Sequence, residues 1–169
     1  MGTVNALAAP QFSKTGGGAN FNCAAGVCTL NLGTLVQGSG TASSTLELTN
    51  AVAGPADDLT GSFDFTAFSG FGDSGFGPVS LAAGMGMAGL TLSLDTSALG
   101  NFSSGFTFNG FSHNAFQNDY ALNAIQFLVE GVVVAQGVGN VPEPATLWLV
   151  FAAGVGGLAA RRRALRTLH

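Results

Sequence analysis

Several stretches of this chain hold side chains that could do chemistry. Ser112, His113 and Asp119 place a hydroxyl, an imidazole and a carboxylate close together, the three groups of a nucleophilic hydrolase. A triad is a matter of geometry, however, and closeness in sequence does not provide it. The expected reading of His113 is a polar loop histidine. Asp57 and Asp58, beside Gly54-Pro55, could offer oxygen to calcium. No spaced series of further ligands surrounds them, so a solvated turn is expected. The stretch Gly84-Met85-Gly86-Met87-Ala88-Gly89 matches the spelling of a dinucleotide-binding loop. That loop must open a helix, and here it runs into the alternating Gly89–Leu94. In a chain with 26 glycines the match reads as chance. No catalytic residue, metal site or cofactor is expected, and the sparse acids, bases and nucleophiles argue against an enzyme.

Two other groups invite a chemical reading. Cys23 and Cys28 lie five positions apart with Gly26 between them, so the chain can turn and bring the sulfurs together. In an oxidising compartment this predicts a disulfide, worth ~2 kcal/mol for so small a loop. Two cysteines without nearby histidines leave zinc short of ligands, and the spacing is not that of the common redox motif. Phe63, Phe65, Phe68, Phe71 and Phe76 could form a sugar-binding platform. Alternation puts Phe63 and Phe65 in a core, which leaves Phe71 and Phe76 as the expected exposed pair.

The elements that must position these groups follow from composition and pattern. Only 8% of the 169 residues are charged, against roughly a quarter in an average soluble protein. Ser, Thr and Asn take the place of charge, as in many secreted β proteins. The nine acids fall between Glu47 and Glu143, and the five bases are Lys14, Arg161, Arg162, Arg163 and Arg166. Residues 1–160 thus carry −8 and residues 161–169 carry +4. So acidic a body repels phosphate, and nucleic acid is not an expected partner.

Alternating apolar residues mark strands in Thr29–Val36, Ser44–Asn50, Leu59–Phe68, Gly89–Asp95 and Gly105–Asn109. A last pair covers Ile125 to Val129 and Val132–Ala135, divided at Glu130-Gly131. Turn signals separate them, among them Gly54-Pro55, Gly77-Pro78 and Asn109-Gly110. Gly70–Gly89 has poor periodicity and is expected to be a long loop or weak edge strand. Seven or eight short strands predict an all-β fold, an antiparallel β-sandwich or jelly-roll-like domain over 9–140. The strands are too short, and the tail too helical, for an outer-membrane barrel. At the start, Ala6-Leu7-Ala8 has the small-x-small form of a signal cleavage site. Residues 1–8 are therefore read as the remnant of a signal peptide.

The tail is different in kind. Ala145–Ala160 is uncharged and, as a single transmembrane helix, would span ~24 Å, short of the ~30 Å hydrocarbon core. Pro142 and Pro144 hold Glu143 in an extended segment before it. Trp148 lies one turn in, where a membrane interface favours tryptophan. Arg161, Arg162 and Arg163 follow at once, a stop-transfer arrangement that keeps the C-terminus in the cytoplasm and the body outside.

In this order of parts, Val141-Pro142-Glu143-Pro144, a short apolar span and a basic end, the tail resembles the PEP-CTERM sorting signal of Gram-negative bacteria. The resemblance covers about residues 141–163. It implies recognition of Pro142, Glu143 and Pro144 by an exosortase, a membrane protease-transpeptidase, with cleavage near them. It also implies export, a transient inner-membrane intermediate, and a final place at the cell surface or in an extracellular matrix with exopolysaccharide. The function expected is structural or adhesive. Alternatives are a carbohydrate-binding module with Phe71 and Phe76 as contacts, and a permanently anchored protein facing the periplasm.

Overall fold

The computed structural model describes residues 6–137. The expected helix at 145–160, the motif at 141–144 and the arginines lie outside these residues. Within them no helix forms, and none is long and apolar enough to cross a membrane. Eleven strands form: β1 (Pro10–Gly17), β2 (Asn20–Ala24), β3 (Val27–Val36), β4 (Thr41–Asn50), β5 (Asp58–Asp64), β6 (Gly72–Ser74), β7 (Val79–Leu81), β8 (Gly86–Asp95), β9 (Gly100–His113), β10 (Tyr120–Ala121) and β11 (Ile125–Val134).

They make two sheets. One has the order β1-β4-β8-β6, and the other β2-β3-β11-β9-β5-β7, with β10 beside β9. Period-two patterning drives this arrangement, because alternate residues of a strand face opposite sides. In β4, Leu46 and Leu48 are fully buried, and in β8 so are Leu90, Leu92 and Leu94. Leu30 of β3, Leu59 of β5, Phe108 of β9 and Val129 of β11 meet them from the other sheet. The sheets approach closely at Gly131, where a Cβ would lie 2.6 Å from Leu94 Cδ2. A side chain there would have to push the buried Leu94 methyl aside.

The sequence-based strands fall on these elements, although the expected strand Leu59–Phe68 ends at Asp64 and Ala135 lies past the end of β11, and four further differences appear. The sheets are mostly antiparallel, but β3 and β11 run parallel, with Phe127 opposite Cys28 and Val129 opposite Leu30. The expected break at Glu130-Gly131 is instead a bulge against β3 inside one continuous β11. Asn109-Gly110 is no turn either. β9 runs through it, and buried Gly110 packs beside the Phe108 ring. Gly70–Gly89 supplies two short edge strands, β6 and β7, and then the start of β8. Its poor periodicity reflects a segment that touches the edge of one sheet as β6, crosses to the edge of the other as β7 and returns to the first as β8, with no long run in either.

That crossing fills one side of the sandwich with rings. Phe106 stacks on Phe127 at 4.4 Å and on Phe65 at 4.6 Å, and meets Phe68 and Phe76 at 5.5 Å. Ser104 pins the crossing chain, accepting from the Ser69 amide at 2.9 Å and donating to the Ala67 carbonyl at 3.3 Å. The other side has edge strands β1 and β2, with a cleft of about 390 Å³ between them.

The hairpin on that cleft shows how local geometry sets a covalent bond. Ala25 (φ 50°) and Gly26 (φ 81°) both sit in the left-handed region, as a two-residue hairpin turn of matching twist requires. Ala24 then faces Val27, and Cys23 faces Cys28 directly, with Cα atoms 4.0 Å apart. The disulfide forms across this pair, as the spacing predicts. Alanine is a poor choice at a left-handed position. Ala25→Asn is expected to stabilise the domain by about 1 kcal/mol, raising the midpoint of thermal unfolding by roughly 2–4 °C. Calorimetry of the oxidised protein checks this, and no rise would contradict the strain argument.

Candidate functional site

The chemistry-bearing residues of the body gather at one end of the sandwich, where β4 and β9 finish and β1, β5 and β11 begin. Asn50, the last residue of β4, is fully buried. Its Oδ1 accepts from the Ala9 amide at 3.0 Å, and its Nδ2 donates to the carbonyls of Asp57 and Leu81 at 3.1 and 3.2 Å. Asp57 is 5% exposed, so the expected solvated turn is a buried carboxylate instead. Ser112 Oγ donates to its Oδ2 at 2.9 Å, and Asn114 Nδ2 donates to its Oδ1 at 3.0 Å. The Ala8 amide in turn donates to Ser112 Oγ at 2.9 Å. A buried polar group is costly unless held in this way, so the arrangement fixes five chain segments, at residues 8–9, 50, 57, 81 and 112–114, relative to one another.

Residues 6–9, read from sequence as the junction of a leader and the mature chain, are part of this network. Ala8 is 5% exposed. Ala6 bridges Ala56 in parallel, and the Asp57 amide donates to the Ala6 carbonyl at 3.0 Å.

Strand alternation separates Ser112 from His113. Ser112 points inward to Asp57, whereas His113 points outward and its Nδ1 lies 2.6 Å from Asp119 Oδ1. The hydroxyl and the imidazole face opposite sides of β9, so the three groups do not form a triad. His113 ends β9 rather than lying in a loop. Its side chain and that of Asp119 are about half exposed, at 46% and 51%.

The Asp119 hydrogen bond, and next its charge, hold the His113 pKa above the ordinary histidine value, with smaller help from Asp58 and Asp57. The sign follows directly. Folding favours the protonated imidazole, so this pair stabilises the fold at pH below the unfolded histidine value. The contribution is lost as pH rises through the raised, folded value. In a proton NMR titration His113 is expected to titrate above an unperturbed histidine. Asp119→Asn should return the midpoint toward the ordinary value, and an unchanged midpoint would remove Asp119 as the cause.

The phenylalanines are arranged differently from the sequence-based expectation. Phe76 is half-buried, edge-on to Phe63 at 5.0 Å and to Phe65 at 5.2 Å. Phe71 is half-buried between Phe68 at 5.7 Å and Phe102 at 6.4 Å. Both belong to the ring cluster that closes the sandwich. The exposed aromatics among the described residues are Phe111 (40%), Tyr120 (58%) and Phe116 (95%), all on β9, β10 or the loop between them. Strict alternation along Phe106, Phe108 and Gly110 puts Phe111 on the outer face, a signal present in the sequence once β9 is known to continue past Asn109.

The cleft beside the disulfide is lined by Phe12, Phe21, Cys28 and Ile125 and carries no titratable side chain. The run Gly84–Gly89 opens β8 and not a helix, and so lacks the context of a dinucleotide loop. Among the described residues no cluster of three or more His, Cys, Asp or Glu side chains is placed to hold a metal ion.

The fold resembles a solved ASH/PapD-like domain of human CEP192 (PapD-like domain 7), with a TM-score of 0.52 at 12% identity, over 79% of this chain and 91% of that one. A weaker likeness, with a TM-score of 0.45 at 15% identity, covers 68% of this chain and 31% of a Vibrio cholerae VesB protease structure. No curated protein sequence matches the chain. At the C-terminal end, a family model for the PEP-CTERM protein-sorting motif matches residues 140–163, and the chain carries that sorting motif.

Proposed function

We propose that this is an exported, non-enzymatic β-sandwich protein delivered to the cell surface through its C-terminal sorting signal. The observation that carries this reading is the match of residues 140–163 to the sorting motif. Within it, Val141, Pro142, Glu143 and Pro144 form the recognition stretch for an exosortase-type processing enzyme. Two prolines keep that stretch extended, and the single carboxylate offers a basic partner a charge-assisted hydrogen bond. The apolar span after it holds the chain in the inner membrane only while processing occurs, which makes its modest length acceptable. Arg161, Arg162 and Arg163 set which side the motif faces. Removal of an apolar tail after delivery follows the logic of other processed anchors.

The body suits life outside the cell. Its Cys23–Cys28 disulfide persists best in an oxidising compartment. The mature role is structural or adhesive, in contact with exopolysaccharide at the surface or in the matrix.

Mass spectrometry of the protein recovered from its host tests the proposal. A mature C-terminus near Pro144 is expected, and it should be lost when Pro142, Glu143 and Pro144 are all replaced by alanine. A chain that keeps Arg161–His169 would overturn processing and leave a permanent membrane anchor.

A further inference from the structure

Phe111 stands on the outer face of β9 in surroundings that strand pairing defines closely. Directly opposite it lie Thr60 on β5 and Ala121 on β10. Two residues to either side along β9 and on the same face are Asn109 and His113. Their own partners on β5 are Ser62 and Asp58. Side chains paired in this way stand about 5 Å apart at Cβ. One aromatic ring is therefore set among hydroxyl, amide, carboxylate and imidazole groups on a sheet surface. The corner is also held in place. Asp119 is bonded to His113 at 2.6 Å, and the loop that carries it is tied to buried Asp57 through Asn114, whose Oδ1 accepts from the Phe116 amide at 3.0 Å.

We propose that this corner, with Phe111 as platform and Asp58, Asn109, His113 and Asp119 as its polar rim, binds a neutral polysaccharide. A pyranose has an apolar C–H face that suits a ring, and a rim of hydroxyls that donate to carboxylates and exchange hydrogen bonds with amide and imidazole. Charge selects against other occupants. The only lysine or arginine among the described residues is Lys14, whose ammonium is occupied with the Gly17 carbonyl toward the far end of β1, and the charge of His113 at the corner is offset by Asp119 bonded to it. The titratable groups facing the corner are Asp58, Asp119 and His113, so polyanions, nucleic acid and anionic lipid surfaces are repelled. A protein partner would favour several contiguous apolar anchors, whereas this face offers one ring interspersed with polar groups. The proposal rests on the domain being displayed outside the cell, and it names the ligand class and the residues that meet it.

The test is affinity electrophoresis and calorimetry of the full chain, held in an amine-oxide detergent that contains no sugar. The probes are a soluble neutral glucan and a polyuronate of similar length. Retention by the glucan and not by the polyuronate is expected. Phe111→Ala should weaken glucan binding about tenfold or more, since aromatic anchors dominate such contacts. Asp119→Asn should weaken it less, while Phe116→Ala, at the loop tip, should leave it unchanged. A melting curve for each variant confirms that the fold is kept. Equal retention by the polyuronate, unchanged binding in Phe111→Ala, or vesicle binding or self-association in place of glucan binding would overturn the proposal. Sorting is read separately from the mass of the C-terminus, so failure of either idea is distinguishable from failure of the other.

Discussion

Phe106→Ala is expected to destabilise the domain by about 3–5 kcal/mol, the range for removing a large aromatic side chain from a core. Phe106 is 4% exposed and sits where the inner face of β9 meets the phenylalanine-rich crossing. Its ring lies 6° from parallel to Phe127 and 21° from parallel to Phe65, and meets Phe68 and Phe76 nearly edge-on. Removing it leaves a cavity and strips these rings of contacts worth about 0.5–1.5 kcal/mol per pair beyond burial. Phe71→Ala removes a half-buried ring at the margin of the same cluster and should cost clearly less. Chemical denaturation followed by near-ultraviolet circular dichroism measures both. A loss below about 1 kcal/mol for Phe106→Ala would mean that the crossing segment is not part of the cooperative core.

Asn50→Ala should be nearly as damaging, for a reason that has nothing to do with apolar packing. The side chain is fully buried and serves three backbone groups at once, the Ala9 amide and the carbonyls of Asp57 and Leu81. A buried group left without its partner costs about 1–3 kcal/mol; the Asp57 carbonyl is such a group and the other two partners are only part-buried, so a total of roughly 2–3 kcal/mol is expected. Asn50→Asp separates the contributions. Its carboxylate can still accept from Ala9 but cannot donate to either carbonyl, and it should rescue little. Hydrogen exchange should show protection lost first at Ala9. If Asn50→Ala melts like the wild type, the network is incidental to the fold.

The parts legible in the sequence were those with strict alternation and strong turn chemistry. Leu46 and Leu48, Leu90 to Leu94, and Phe106 and Phe108 each announce a strand, and each lies in one. Cys23 and Cys28, with Gly26 between them to allow a turn, announce the bond they form. Other features depend on partners that no local window contains. β1 (Pro10–Gly17) is mostly polar and buries Phe12, and it becomes a strand because β4 offers it a ladder. Asn109-Gly110 and Glu130-Gly131 look like turns, yet β5 carries the chain straight through the first and β3 and β9 carry it through the second. Phe71 and Phe76 had no periodic partner to signal burial, and rings distant in sequence supply it. The sorting motif is the opposite case, since a short peptide read by another protein must be written in consecutive residues.

Where β11 sits bears on when the domain can become rigid. It lies between β3 and β9, so the central strand of the larger sheet is the last to be made. Its parallel partner spans residues 27–36, nearly a hundred positions earlier. Closing so long a loop is entropically costly, and contacts of this kind slow folding. A chain threaded N-terminus first through a narrow channel therefore cannot lock its larger sheet until residues 125–134 have emerged. Delay in folding, ordinarily a hazard, leaves the larger sheet open until nearly the end of that passage, and the strand that ends the delay is followed within a few residues by the sorting motif.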